Sequence, residues 1–267
     1  MAKRALCVGI NDYPLADMDL KGCVNDANDW ATVLTEHYDF ARSDVTLLLD
    51  AEATKTAIRQ QLGTLLAGAA KGDVLVFTNS SHGTYVGDTS GDEPSYDEAI
   101  CPYDTSDELL VDDELRELFS GLAPGVRLTV ISDSCFSGTV TRATEVPPTP
   151  DDRRRRFLNP KLIGLPEIEE EKRSKAKPRS EQFPQTQMKE MLLSGCTDKQ
   201  YSYDALINGR YNGAMTATAI GVLARHGYDL TASRLVKELV GDLKDSHFNQ
   251  EPQLEGRLGL RRRRIFT

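Results

Sequence analysis

Five short apolar runs constrain this chain most: ALCVGI (5–10), VTLLLD (45–50), DVLVFTNS (73–80), RLTVISDS (127–134) and EMLLSGCT (190–197). They are rich in β-branched residues and carry few alternating polar ones, the pattern of strands covered on both faces. Helical patterns separate and follow them. VNDANDWATVLTEHY (24–38) has Asn25 or Asp26 near its start, and ATKTAIRQQLGTLLAGAA (53–70) has Thr54 as a cap. DDELRELFSGL (112–122) opens with two carboxylates that suit a helix N-terminus. GAMTATAIGVLARHG (213–227), stopped by Gly227, and TASRLVKELVGDLKDS (231–246) complete the set. This alternation predicts an α/β chain, a three-layer α/β/α sandwich around a mostly parallel central sheet. In such sheets the functional crevice lies beyond the carboxyl ends of the strands. NSSHGT (79–84) and DSCFSG (133–138) both follow strand ends, so they are expected on one rim.

The 267 residues can bury a full core, and they read as one domain, 1–267, with one insertion. From about 140 to 187 the chain is rich in proline and charge without periodicity, which predicts a long mobile loop. Over 151–181 that loop carries 10 basic and 7 acidic residues, so the rest of the chain, net −9 overall, stands near −12. An acidic body makes nucleic acid an unsuitable partner and attracts cationic ligands. No stretch approaches the roughly 18 apolar residues of a membrane span, and the short N-terminal apolar run is broken by Asn, Asp and Pro. A cytoplasmic protein without a membrane contact is expected. The five cysteines are scattered and none pair as C-x-x-C, which argues against a disulfide framework or zinc ribbon.

His82 and Cys135 stand out within this frame. His82 sits among Ser80, Ser81 and Gly83 at a strand end, where packing alone gives an imidazole no purpose. A cysteine and a histidine on one rim make a nucleophile: the thiolate attacks and the imidazole handles the protons. Their separation is 53 residues.

With those residues in place, the chain resembles the metacaspases and orthocaspases, cysteine peptidases of the caspase-like clan. The matching segments are ALCVGINDYP with LKGCVNDANDW, VLVFTNSSHGT, SYDEAICPYD with VDDEL, LTVISDSCFSGT and, further on, MLLSGCTDKQYSYD. Ser81 departs from the glycine usual before the family's histidine, which concerns loop conformation more than chemistry. The resemblance implies the caspase–hemoglobinase fold, Cys135 as nucleophile, His82 as general acid/base, and the amides of Gly83 and Cys135 as oxyanion donors. It places Cys23, Asp26, Ser80 and Asp133 around the specificity pocket. Two carboxylates there would take a long cation, and arginine can engage both. Cleavage after Arg or Lys is therefore expected, rather than after Asp.

RRRRF (153–157) and KRSKAKPR (172–179) would then be targets of the site itself, with self-cleavage between about Arg153 and Arg179 and Arg153, Arg154, Arg155 and Arg156 as first candidates. The family also implies a calcium set at Asp97, Asp112 and Asp113, although its fourth carboxylate is replaced by Arg142. No cofactor is required by this chemistry, and calcium is the one metal the resemblance admits. Expected partners are proteins or peptides with Arg or Lys before the cut, acting on a monomer, and the family's biology points to cell death, stress or defence. The competing reading is a catalytically weak binding module that holds an Arg-containing segment, which needs neither His82 nor Cys135. A nucleotide-binding domain is excluded, because GINDYP lacks the G-x-G-x-x-G turn and no phosphate-binding loop follows.

Overall fold

The computed structural model describes residues 1–87, 96–106, 108–135, 153–166, 185–197 and 200–267. Its centre is a six-stranded sheet made from β1 (Lys3–Gly9), β2 (Val45–Leu49), β3 (Val74–Ser80), β7 (Arg127–Asp133), β9 (Glu190–Ser194) and β12 (Gln253–Glu255). The order is β12-β9-β7-β3-β1-β2, parallel throughout except for β12 at one edge. All five apolar runs form strands of this sheet, four within two residues of the predicted bounds and the fifth ending at Ser194, three residues before its predicted end.

Alternate residues of each strand enter opposite cores, as the two-residue period requires. Ala5, Cys7, Val74 and Val76 join Trp30, Leu34, Met215, Leu223, Leu235 and Leu239 on one face. Those partners come from α1 (Cys23–His37), α4 (Ala214–Arg225) and α5 (Ala232–Asp245). Leu6, Val8, Leu75 and Phe77 join Ile58, Leu62 and Phe119 on the other. There α2 (Lys55–Leu66) and α3 (Asp112–Ser120) form the layer. Each such aliphatic or aromatic side chain contributes about 1.5–3 kcal/mol by leaving water, which fixes which face is which. Thr54 caps α2 through Ala57, as expected. Asp26 caps nothing: Gly22 stands at the α1 N-cap, and the Asp26 side chain points elsewhere. Among the described residues no helix is long and apolar enough to cross a membrane.

Two small antiparallel sheets were not foreseen. One contains β4 (Gly83–Gly87), β5 (Tyr96–Ile100) and β6 (Leu110–Val111). The other has the order β11-β10-β8, from β8 (Arg153–Arg155), β10 (Tyr203–Ile207) and β11 (Arg210–Gly213). The expected mobile loop at 140–187 is thereby corrected in part. Arg153–Arg155 is a strand paired with β10, Pro160–Ile163 is a 3-10 turn, and Arg156, Leu158 and Pro160 are buried. Residues 140–152 and 167–184, including the second basic run, lie outside the described residues. The arginine strand defeats a hydrophobic-pattern reading because its charges are taken by carboxylates, rings and carbonyls, not by water.

Candidate active site

Chain order and strand order part company at β1: β2 lies on one side of it and β3 on the other. Such a switch opens a crevice at the carboxyl ends. Gly9, Ser80 and Asp133 are in register across β1, β3 and β7 there. His82 and Cys135 each lie two residues beyond, so they leave the sheet from neighbouring strands at the same height. Gly9 has to be glycine at this point, because a Cβ would lie 2.9 Å from the side chain of Ala27 and closer still to the Cys23 carbonyl.

The His82 ring is buried against Tyr13, with centroids 5.2 Å apart. Its Nε2 lies 2.7 Å from the Met18 carbonyl, an acceptor only, so Nε2 carries the proton and Nδ1 keeps its lone pair. Nδ1 is buried and has no hydrogen-bond partner among the described residues. Burial lowers the imidazole pKa to about 4, against the smaller upward pull of the Met18 carbonyl. The ring is therefore neutral at pH 7, with one free basic nitrogen.

The Cys135 sulfur is buried and receives the Ser202 backbone N–H; Cys196 Sγ lies 3.7 Å away and the Ser202 carbonyl 3.5 Å away. Burial pushes Cys7 and Cys101 up to about 12, and pushes Cys23 well above its ordinary value.

One segment of the chain occupies the crevice between these groups. The Arg156 carbonyl oxygen accepts the Gly83 N–H at 3.0 Å and the Cys135 N–H at 3.2 Å. On one side of it the Arg156 N–H donates to the Ser202 carbonyl at 3.0 Å; on the other, the Leu158 N–H donates to the Gly83 carbonyl at 2.9 Å. The Arg156–Phe157 peptide bond is thus spanned by backbone hydrogen bonds from both directions.

The Arg156 guanidinium fills a wholly buried acidic pocket. Nη2 lies 2.7 Å from Asp26 Oδ2 and 3.0 Å from Asp204 Oδ1; Nη1 lies 3.4 Å from Asp133 Oδ2 and donates to Ser80 Oγ at 3.3 Å. Each carboxylate is also held by the backbone. Asp26 accepts from Gly213 N at 2.9 Å, Asp133 from Thr216 N at 3.0 Å, and Asp204 from Lys21 N and Gly22 N at 2.8 and 2.9 Å. Ser202 Oγ and Thr216 Oγ1 add bonds to Asp133, and Asn212 Nδ2 adds one to Asp26. Three carboxylates share one guanidinium in a buried site. Asp26 is raised to about 6, chiefly by burial and against the pull of Arg156. A cavity so lined demands a cation. Gly213 keeps it open, since a Cβ there would collide with the Asp133 carboxylate and the guanidinium.

Cys23, Asp26, Ser80 and Asp133 are therefore brought together, Cys23 close enough for Arg156 to pull its pKa down against burial. Sequence reasoning missed Asp204, Ser202, Asn212, Gly213 and Thr216. Asp204 and Ser202 stood inside the matched segment MLLSGCTDKQYSYD, Asp204 as its last residue, but were assigned no role there.

The expected metal set is not assembled among the described residues. Asp112 and Asp113 open α3 and are bridged by one guanidinium, Arg116, whose Nη2 is 2.8 Å from Asp112 Oδ2 and whose Nη1 meets Asp113. Asp97 is buried on β5. No three His, Cys, Asp or Glu side chains among the described residues converge as a cation shell. A calcium ion needs six to eight oxygens, and a guanidinium already bridges two of these acids, so the set does not fit that ion.

Residues 3–144 match the model of the metacaspase peptidase C14 domain. Metacaspase-4 of Arabidopsis thaliana is 41% identical over 145 residues, 52% of this chain and 34% of that protein. Metacaspase-1 of Scheffersomyces stipitis is 32% identical over 253 residues, 83% of this chain and 62% of its own length. The chain thus spans between a third and two thirds of these relatives. A crystal structure of a Geobacter sulfurreducens protein superposes with TM-score 0.74 and 29% identity, covering 100% of this chain and 99% of that one. Caspase-1 of Spodoptera frugiperda, at 11% identity and TM-score 0.57 over 95% of this chain and 88% of its own, shares the fold alone. By domain match and by likeness along most of its length, the chain belongs to the metacaspase family.

Proposed function

We propose that this metacaspase is a cysteine endopeptidase that cuts after arginine, and that its first substrate is its own Arg156–Phe157 bond. One observation carries the reading: a single arginine places its carbonyl on two converging amides and its side chain in a three-acid pocket. That is the pose required of the residue before a scissile bond.

In the proposed reaction the Cys135 sulfur attacks the Arg156 carbonyl carbon while its proton passes to His82 Nδ1. The oxygen, becoming an oxyanion, keeps the two N–H bonds it already has, from Gly83 and Cys135. Such donors are commonly worth about 3–4 kcal/mol each. His82 then gives its proton to the Phe157 nitrogen as the carbon–nitrogen bond breaks, leaving a thioester on Cys135. Water, losing a proton to the same nitrogen, attacks that thioester; as the carbon–sulfur bond breaks His82 returns this proton to the Cys135 sulfur, and the Arg156 carboxylic acid so formed gives its own proton to solvent. No step requires a cofactor.

The complete burial of Arg156 also favours a second reading, in which the pocket is a binding module that clasps its own arginine permanently. Purified protein on a denaturing gel, with fragment ends read by mass spectrometry, separates the two. The endopeptidase gives fragments 1–156 and 157–267 from wild type and an intact chain from Cys135→Ala. An intact wild-type chain under the same conditions leaves the binding module.

A further inference from the structure

The approach to the pocket is paved with aromatic rings. In β8 residues 153 and 155 share one face and 154 shares the other with Arg156, by the two-residue period. Arg154 Nη2 meets the Asp17 carbonyl, on the pocket side. On the opposite face the Arg155 guanidinium lies 4.4 Å from the centre of the Tyr201 ring, and Tyr203 stands directly opposite Arg155 in the pairing of β8 with β10. The Arg153 guanidinium lies 4.1 Å from the centre of the Phe248 ring, and its Nη1 donates to the His247 carbonyl at 2.9 Å. Tyr203 and Phe248 are themselves neighbours, 6.1 Å between ring centres. The rings come from the start of β10 and from the turn after α5, so distant parts of the chain converge to make two cationic seats at alternate positions.

We propose that Tyr201, Tyr203 and Phe248 are specificity-determining residues that read arginine at the second and fourth positions before the cut. The preferred substrate class is then a polybasic segment of the form Arg-x-Arg-Arg, engaged by one acidic pocket and two aromatic seats. This rests on Arg156 standing as the residue before the scissile bond. The planar guanidinium matches a ring face, and a cation over a ring contributes an attraction that survives in a partly dry groove.

The test uses four fluorogenic peptides that all end in arginine: Arg-Gly-Arg-Arg, Ala-Gly-Arg-Arg, Arg-Gly-Ala-Arg and Ala-Gly-Ala-Arg. Wild-type kcat/KM is expected to fall about 3- to 10-fold for each arginine replaced by alanine. Phe248→Leu, which keeps apolar bulk, should erase discrimination at the fourth position and leave that at the second. Tyr201→Leu should do the converse. Long-range attraction by the acidic body is common to wild type and variants, so it cannot produce this exchange. Turnover of all four peptides within twofold by wild type would overturn the proposal while leaving cleavage after arginine intact, and so would variants that keep wild-type ratios. No turnover of any peptide would instead sink the arginine peptidase reading, and this inference with it.

Discussion

Asp204 Oδ1 stands 3.0 Å from the Arg156 guanidinium, and neither side chain is measurably exposed. Arg156 therefore faces a third carboxylate besides Asp26 and Asp133, and the pocket holds two more negative charges than positive ones. A charge-assisted hydrogen bond is worth about 1.5–3 kcal/mol. Asp204→Asn is expected to slow the appearance of fragments 1–156 and 157–267 by about 10- to 100-fold. Thermal stability should not fall in proportion, because the change also relieves crowding among like charges. An unchanged cleavage rate would remove Asp204 from the specificity pocket.

Arginine should be strongly preferred over lysine. Nη1 serves Asp133 and Ser80 while Nη2 serves Asp26 and Asp204, a division of labour that one ammonium nitrogen cannot copy. Arg156→Lys is expected to self-cleave about 10-fold or more slowly than wild type, yet faster than Arg156→Ala. Equal rates for Arg and Lys at this position, timed on a gel, would count against bidentate recognition.

His82 makes a prediction about pH. Its folded pKa of about 4 lies below the ordinary 6.5, so it stabilises the fold fully above pH 6.5 and that contribution is lost as pH falls through about 4. The loss is on the order of 3 kcal/mol. Asp26 runs the other way: raised to about 6, it contributes stability below the ordinary carboxylate range that is lost as pH rises through 6. The informative quantity is thus the difference between two proteins. Between pH 7 and pH 4 the Tm of His82→Gln should drop less than that of wild type, and parallel curves would contradict the burial argument.

Chelation should leave self-cleavage untouched. Arg116 already bridges Asp112 and Asp113, supplying the positive charge that a calcium ion would otherwise bring. Time courses in excess EGTA and in millimolar calcium are expected to coincide. Abolition of cleavage by EGTA would show that the acids rearrange around a metal.

How much of this could be read beforehand follows from what kind of force places each residue. The five central strands were legible because burial on both faces writes itself as an unbroken apolar run, and their ends set the height of Ser80, His82, Asp133 and Cys135. Likeness to the family supplied the partners around Asp26. The strand Arg153–Arg155 was illegible because its order comes from partners far away in sequence, Tyr201, Ser202, Asp204 and Phe248, and nothing local in RRRRF distinguishes a docked strand from a solvated one. Asp26 sat where a helix cap would be expected; only the fold reveals that Gly22 takes the cap and frees the carboxylate for the pocket.

The seated arginine has a kinetic corollary. It follows Cys135 by 21 residues on the same chain, so severing the bond after it does not make it a free molecule. A tether of that length keeps its end at a local concentration in the millimolar range. If that bond is cut as proposed, a visiting peptide would have to displace a resident on a short tether, and turnover on other proteins would follow how often that resident leaves.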